Sequence, residues 1–129
     1  MKKIFTLTVL LIIFISNISK AYSIEADIFV QSTVNRAAKT LSGDLSKAER
    51  IEKLKEIARD TVDIDGIGFY SLGAHRKNLT KEQIDEYKKV FQEYFLKSFS
   101  SRLAEYSNPE IEVNSKNVIN KNYTIVLST

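Results

Sequence analysis

His75 is the only imidazole in a chain of 129 residues, and it stands between Ala74 and the cations Arg76 and Lys77. A zinc centre needs three or four clustered ligands, and one histidine without an H-x-x-x-H pattern does not supply them. His75 therefore reads as a surface residue. Asp60, Asp63 and Asp65 are the nearest approach to an acidic cluster. They lack the spacing and terminal Glu of a calcium loop, and Asp63 stands where a helix N-cap is wanted. No serine sits in G-x-S-x-G, and no glycine-rich phosphate loop is present. The chain has no cysteine, which removes thiol chemistry and Cys-based metal sites. Asn78-Leu79-Thr80 matches a glycosylation sequon, but Thr80 already has a capping role to play. These residues predict a protein that is not an enzyme and uses no cofactor and no metal.

What the chain does concentrate is large rings. Between residues 72 and 106 it reads LGAHRKNLTKEQIDEYKKVFQEYFLKSFSSRLAEY. Ile84, Tyr87, Phe91, Tyr94, Phe95, Phe99, Leu103 and Tyr106 recur at helical spacing, which predicts one apolar face. Such a stripe ordinarily fills a core. Rings along one wall are also able to border an apolar cavity.

The elements that must carry the stripe follow from local signals. Thr80 and Gln83 form a capping box, and Leu79 and Ile84 occupy the positions of a hydrophobic staple. The helix they open is expected to run about 26 residues, until Asn108-Pro109 stops it. Upstream, Ile28, Val34, Ala38 and Leu41 suggest a helix over 24–41, broken by Ser42-Gly43-Asp44. Ile51, Leu54, Ile57 and Ala58 mark a second over 46–61, opened by a Ser46/Glu49 capping box. Asp63 caps a short third helix through Ile64, Ile67 and Leu72, stopped by Gly73. After Pro109 the period changes to two. Ile111 and Val113, then Tyr123, Ile125 and Leu127, predict two strands of a hairpin turning at residues 120–122.

Residues 1–23 stand apart. Lys2 and Lys3 precede an apolar run from Ile4 to Ile15, followed by Ala21-Tyr22-Ser23. This reads as a cleavable signal peptide; the run is too short to span a bilayer, which takes about 20 residues. The single domain is then 24–129, in an exported compartment. Of the 19 basic residues three lie in the leader, leaving 16 against 16 acidic ones. A neutral domain has no general attraction for phosphate backbones, so nucleic acid is not an expected partner.

The ordered set of motifs resembles the periplasmic phospholipid-binding family of the MlaC type, also called the toluene-tolerance auxiliary family. Leu72-Gly73 matches its L-G pair. Leu79, Thr80 and Gln83 match the opening of its long helix. Tyr87, Phe91, Phe99, Arg102, Leu103 and Tyr106 match the helix itself. The resemblance covers roughly residues 27 to 128. Two departures stand out. The family's tryptophan after the L-G pair is replaced by Arg76, and family members continue for further strands where this chain stops. The expected fold is therefore α+β: N-terminal helices and one long helix packed on an incomplete antiparallel sheet, with the C-terminal part lacking.

The resemblance implies a soluble carrier in the periplasm, part of an intermembrane lipid transport system that maintains outer-membrane lipid asymmetry. Its implied partners are phospholipid acyl chains, an outer-membrane lipoprotein complex and an inner-membrane ABC transporter complex. It implies a cavity between sheet and helices. The residues expected to bind lipid are Phe29, Ile67, Leu72, Tyr87, Phe91, Phe95, Phe99, Leu103, Tyr123 and Ile125, with Ile64, Phe69 and Tyr70 beside them. Two alternatives stay open: a fragment without independent lipid binding, and a helical module whose stripe docks a protein.

Overall fold

The computed structural model describes residues 24–129, so the expected leader lies outside the described residues. Four α-helices come first: α1 (Ala26–Ser42), α2 (Lys47–Thr61), α3 (Ile64–Ser71) and α4 (Lys81–Leu103). A 3-10 helix, Gly73–Asn78, joins α3 to α4. Strands β1 (Val113–Asn120) and β2 (Tyr123–Ser128) close the order as one antiparallel hairpin.

The capping signals are realised. The Ser46 and Thr80 side chains each accept from the backbone N–H three residues on, and Glu49 and Gln83 accept in return from the cap N–H groups. Each box satisfies two donors that a helix start would otherwise leave unpaired. Asp63 Oδ1 accepts from the Gly66 N–H at 3.0 Å and opens α3. Its two neighbours are also engaged. Asp60 binds Arg36 of α1 at 2.8 Å, and Asp65 lies 3.9 Å from Lys88 of α4. Gly73 takes φ +54°, a backbone that a side chain disfavours, and this turns the chain out of α3.

The long helix is shorter than its sequence suggests. It ends at Leu103, not at Asn108-Pro109, so it has 23 residues and is about 35 Å long. The N–H groups of Glu105 and Tyr106 bond to the carbonyls of Arg102 and Leu103, three residues back. That tightening draws the chain off the helix axis and carries Tyr106 out of the stripe, where it is 61% exposed.

Two small cores hold the helices together. Leu41 of α1, Leu54 of α2 and Ala104 form one, with Ala37, Ile51 and Leu103 against it. Ala58 of α2, Ile64 of α3 and Leu96 of α4 form the other, with Val62, Phe91 and Phe95 against it. Ser100 lies between them on α4 and is fully buried. Leu96, Ser100 and Ala104 follow one another at intervals of four, so they form a single line on the α4 surface. The small Ser100 and Ala104 let α2 come close. Ile64, expected at a lipid-facing wall, is instead a core residue.

The α+β class is as expected, with a two-stranded antiparallel sheet among the described residues. The helix against which the hairpin lies is α1. Lys116 on β1 binds both Glu25 and Asp27 at the start of α1, at 2.7 and 2.8 Å. Lys116 pairs with Val126 across the hairpin, and directly paired residues share a face. The Lys116–Val126 face is thus turned to α1. Tyr123, Ile125 and Leu127 belong to the opposite face, 58%, 39% and 56% exposed.

Candidate functional site

The rings of α4 form a row. Tyr87, Phe91, Phe95 and Phe99 stack in succession, with centroids 5.7, 6.2 and 5.4 Å apart. Successive members are four residues apart, which places each one turn further along and rotated slightly about the axis. The row therefore drifts around the helix. Phe91 and Phe95 touch the second core, whereas Phe99 has reached solvent at 38% exposure.

The packing line and the ring row are adjacent, not identical. Leu96, Ser100 and Ala104 are buried against the other helices; the rings lie beside them, half covered. Tyr94, assigned by spacing to the same face, is 67% exposed and belongs to neither. The sequence signal for the true packing line was the series Leu96, Ser100, Ala104 at intervals of four. The larger rings next to it obscured that series.

On α3, Gly68 is buried against Phe91. A Cβ at Gly68 would stand 2.7 Å from the Phe91 ring. Only glycine permits this approach, so Gly68 seats α3 directly on the ring row. Ile67, one residue away, is 42% exposed, and Leu72 at the end of α3 is half-buried. Leu103 packs on the first core. Phe29 is on α1 at 41% exposure. Tyr123 and Ile125 are on the outward face of the hairpin that α1 holds.

Of the ten expected lipid-binding residues, the structure brings Tyr87, Phe91, Phe95 and Phe99 into one continuous surface. Leu103 serves the helical core. Phe29, Tyr123 and Ile125 are apolar and accessible on other elements. Two of the depressions among the described residues are lined elsewhere: one of about 480 Å³ beside Ile28, Gln31 and Arg36, and one of about 580 Å³ between Lys39, Leu45 and Ile57. The rings thus form an open wall rather than the lining of either depression.

Sequence reasoning missed two contacts. Arg76, which replaces the expected tryptophan, lies with its guanidinium 5.2 Å from the centre of the Phe69 ring, within cation–π range. Lys116 clamps Glu25 and Asp27 across some ninety residues of chain. Hydrogen bonding from Lys116 holds the Asp27 carboxyl below its usual range, and both acids raise the Lys116 ammonium above its own. No local pattern announces either contact.

The described residues thus form an α+β arrangement of four α-helices and one hairpin, with a half-exposed wall of stacked rings. The chain belongs to the MlaC family: the family described as MlaC protein matches residues 30–129, which include α1 from its fifth residue on and every later element to β2. This is a family of lipid-transport proteins. No curated protein and no solved structure gives a significant match.

Proposed function

We propose that the chain is a periplasmic phospholipid-binding component of an intermembrane lipid transport system, and that acyl tails lie along the Tyr87–Phe91–Phe95–Phe99 row. The observation that carries this reading is the half-exposed ring row inside a match to the MlaC family. A two-tailed lipid has on the order of 30 methylenes, and exposing each costs about 0.8 kcal/mol. Free passage through water would then cost on the order of 24 kcal/mol, so a carrier must cover the tails. Aromatic faces and edges do this without demanding a fixed chain length. Phe29, Ile67, Leu72, Tyr123 and Ile125 extend the apolar surface available to the tails. The headgroup stays in water and the cargo moves unchanged. The cargo is exchanged between an outer-membrane lipoprotein complex and an inner-membrane ABC transporter complex.

Protein purified from the periplasm should carry phospholipid that organic extraction and mass spectrometry detect. Phe99→Asp, at an accessible position, should remove most of that lipid while preserving the fold by circular dichroism. Phe91→Asp should remove lipid and also destabilise, since Phe91 touches the second core. Lys89→Asp should change neither. Folded wild-type protein that is consistently free of lipid overturns the proposal. A co-purifying protein in its place would assign the wall to a protein partner.

A further inference from the structure

The corner made by α3 and the 3-10 helix carries a second kind of surface. Ile64 and Gly68 are the buried side of α3. The outward side presents Phe69, 39% exposed, and Tyr70, 80% exposed. Tyr70 is the most exposed large apolar residue described. Immediately after it, His75, Arg76 and Lys77 are all exposed on the 3-10 helix. Arg76 is not merely near in sequence: its guanidinium lies 5.2 Å from the Phe69 ring centre, which fixes a cation at the rim of the aromatic pair.

Charge around the corner has one sign. No Asp or Glu occurs between Asp65 and Glu82, while Arg76, Lys77 and Lys81 all do. Among the described residues neither Arg76 nor Lys77 takes part in an ion pair. Lys81 lies 3.6 Å from Asp85, and Asp65 on the α3 side is faced by Lys88 at 3.9 Å. The domain as a whole is neutral, so this corner is a local departure from its average.

The geometry points to the α3/3-10 corner as a docking surface for an anionic lipid bilayer, with Phe69 and Tyr70 at headgroup depth and Arg76 and Lys77 against lipid phosphates. Amphipathic rings favour the boundary between water and acyl chains. Cations close to an anionic surface gain attraction that falls away within a Debye length. No helix among the described residues is long and apolar enough to cross a membrane, and the contact here is with the surface. This inference stands apart from tail binding by the ring row. The corner offers charge and two exposed rings, whereas the row offers rings alone.

Co-sedimentation of the purified protein with phosphatidylcholine vesicles, with and without phosphatidylglycerol, tests it. Wild-type protein should bind the phosphatidylglycerol vesicles and be released by salt. Arg76→Gln with Lys77→Gln should weaken that binding about thirtyfold. Tyr70→Ser should lower what remains on both vesicle types. Lys97→Gln, about 24 Å along α4 from Lys81, should leave binding as it is. Lipid extracted from the Arg76→Gln/Lys77→Gln protein should match wild type, which separates loss of docking from loss of tail binding. Equal binding by wild type and the double variant, indifference to phosphatidylglycerol, or no vesicle binding at all overturns the inference. Retention on immobilised poly-glutamate without vesicle binding would assign the corner to an acidic protein and overturn it as well.

Discussion

At the scale of single residues, Gly68 and Ser100 decide how closely the helices meet, and Gly73 decides how the chain turns between them. Gly68 admits the Phe91 ring, and a Cβ there would stand 2.7 Å from it. A ring wedged between two helices has little freedom to retreat, so Gly68→Ala should cost about 1–3 kcal/mol. Gly73 is the opposite case. Nothing lies within 4 Å of its missing Cβ, but φ is +54°. Gly73→Ala should cost about 1 kcal/mol through the backbone alone. Urea melts of the two variants, with unchanged slopes, would rank them. Ser100 is fully buried with its hydroxyl donating to the Leu96 carbonyl. Ser100→Leu should overpack the α2–α4 contact by a similar 1–3 kcal/mol.

At the scale of elements, starts were easier to read than ends. Ser46/Glu49, Thr80/Gln83 and Asp63 each named a helix start from four residues of sequence, because a cap is a local hydrogen-bonding problem. The end of α4 depended on burial of Ala104 against Leu41 and Leu54, residues fifty or more positions away, so Pro109 marked the latest possible end and not the real one. The hairpin was legible from its period of two, but its anchorage was not. Lys116 reaches Glu25 and Asp27 only after the chain has folded back. This clamp should be sensitive to pH at both extremes. Asp27 titrates below its ordinary 3.8, so its contribution is present above that value and is lost as pH falls beneath it. Lys116 titrates above its ordinary 10.5, so its contribution is present below that value and is lost as pH climbs past it. Amide exchange in β1 and β2 should rise in acid before exchange in α2 does. Lys116→Met should erase that difference. Uniform acceleration across helices and hairpin would contradict a local clamp.

At the scale of the whole molecule, the apolar sequence is divided between a small packed interior and a large accessible surface. Leu41, Leu54, Ile57, Ala58, Ile64, Leu96 and Ala104 are the buried hydrophobic residues described. Many of the bulkiest side chains, Phe29, Phe69, Tyr70, Phe99 and Tyr123 among them, are not buried. The sequence made the ring-rich helix plain, and the family resemblance rested on the same residues. Which rings would be covered was not legible. Helical spacing alone cannot separate the packing line from the row beside it, only about 100° around the axis. A ligand that covers the exposed rings should stabilise the fold by mass action. At a hundredfold excess over its dissociation constant it adds about 2.7 kcal/mol. For a domain of this size that is a rise of roughly 10–20 °C in melting temperature. Stripping lipid from the purified protein and restoring phospholipid in detergent should lower and then recover the transition. A midpoint indifferent to lipid would argue against a tail-covered wall.

The seat of Phe91 on Gly68 has a mechanical meaning. With α3 pressed directly on the ring, that side of the row cannot yield inward, and any guest laid along it can displace Phe91 only outward or lift α3 bodily. Since α3 leads into the cationic 3-10 turn, a guest that lifts α3 would raise that turn with it. Occupancy of the greasy wall would thereby be legible on the outside of the protein.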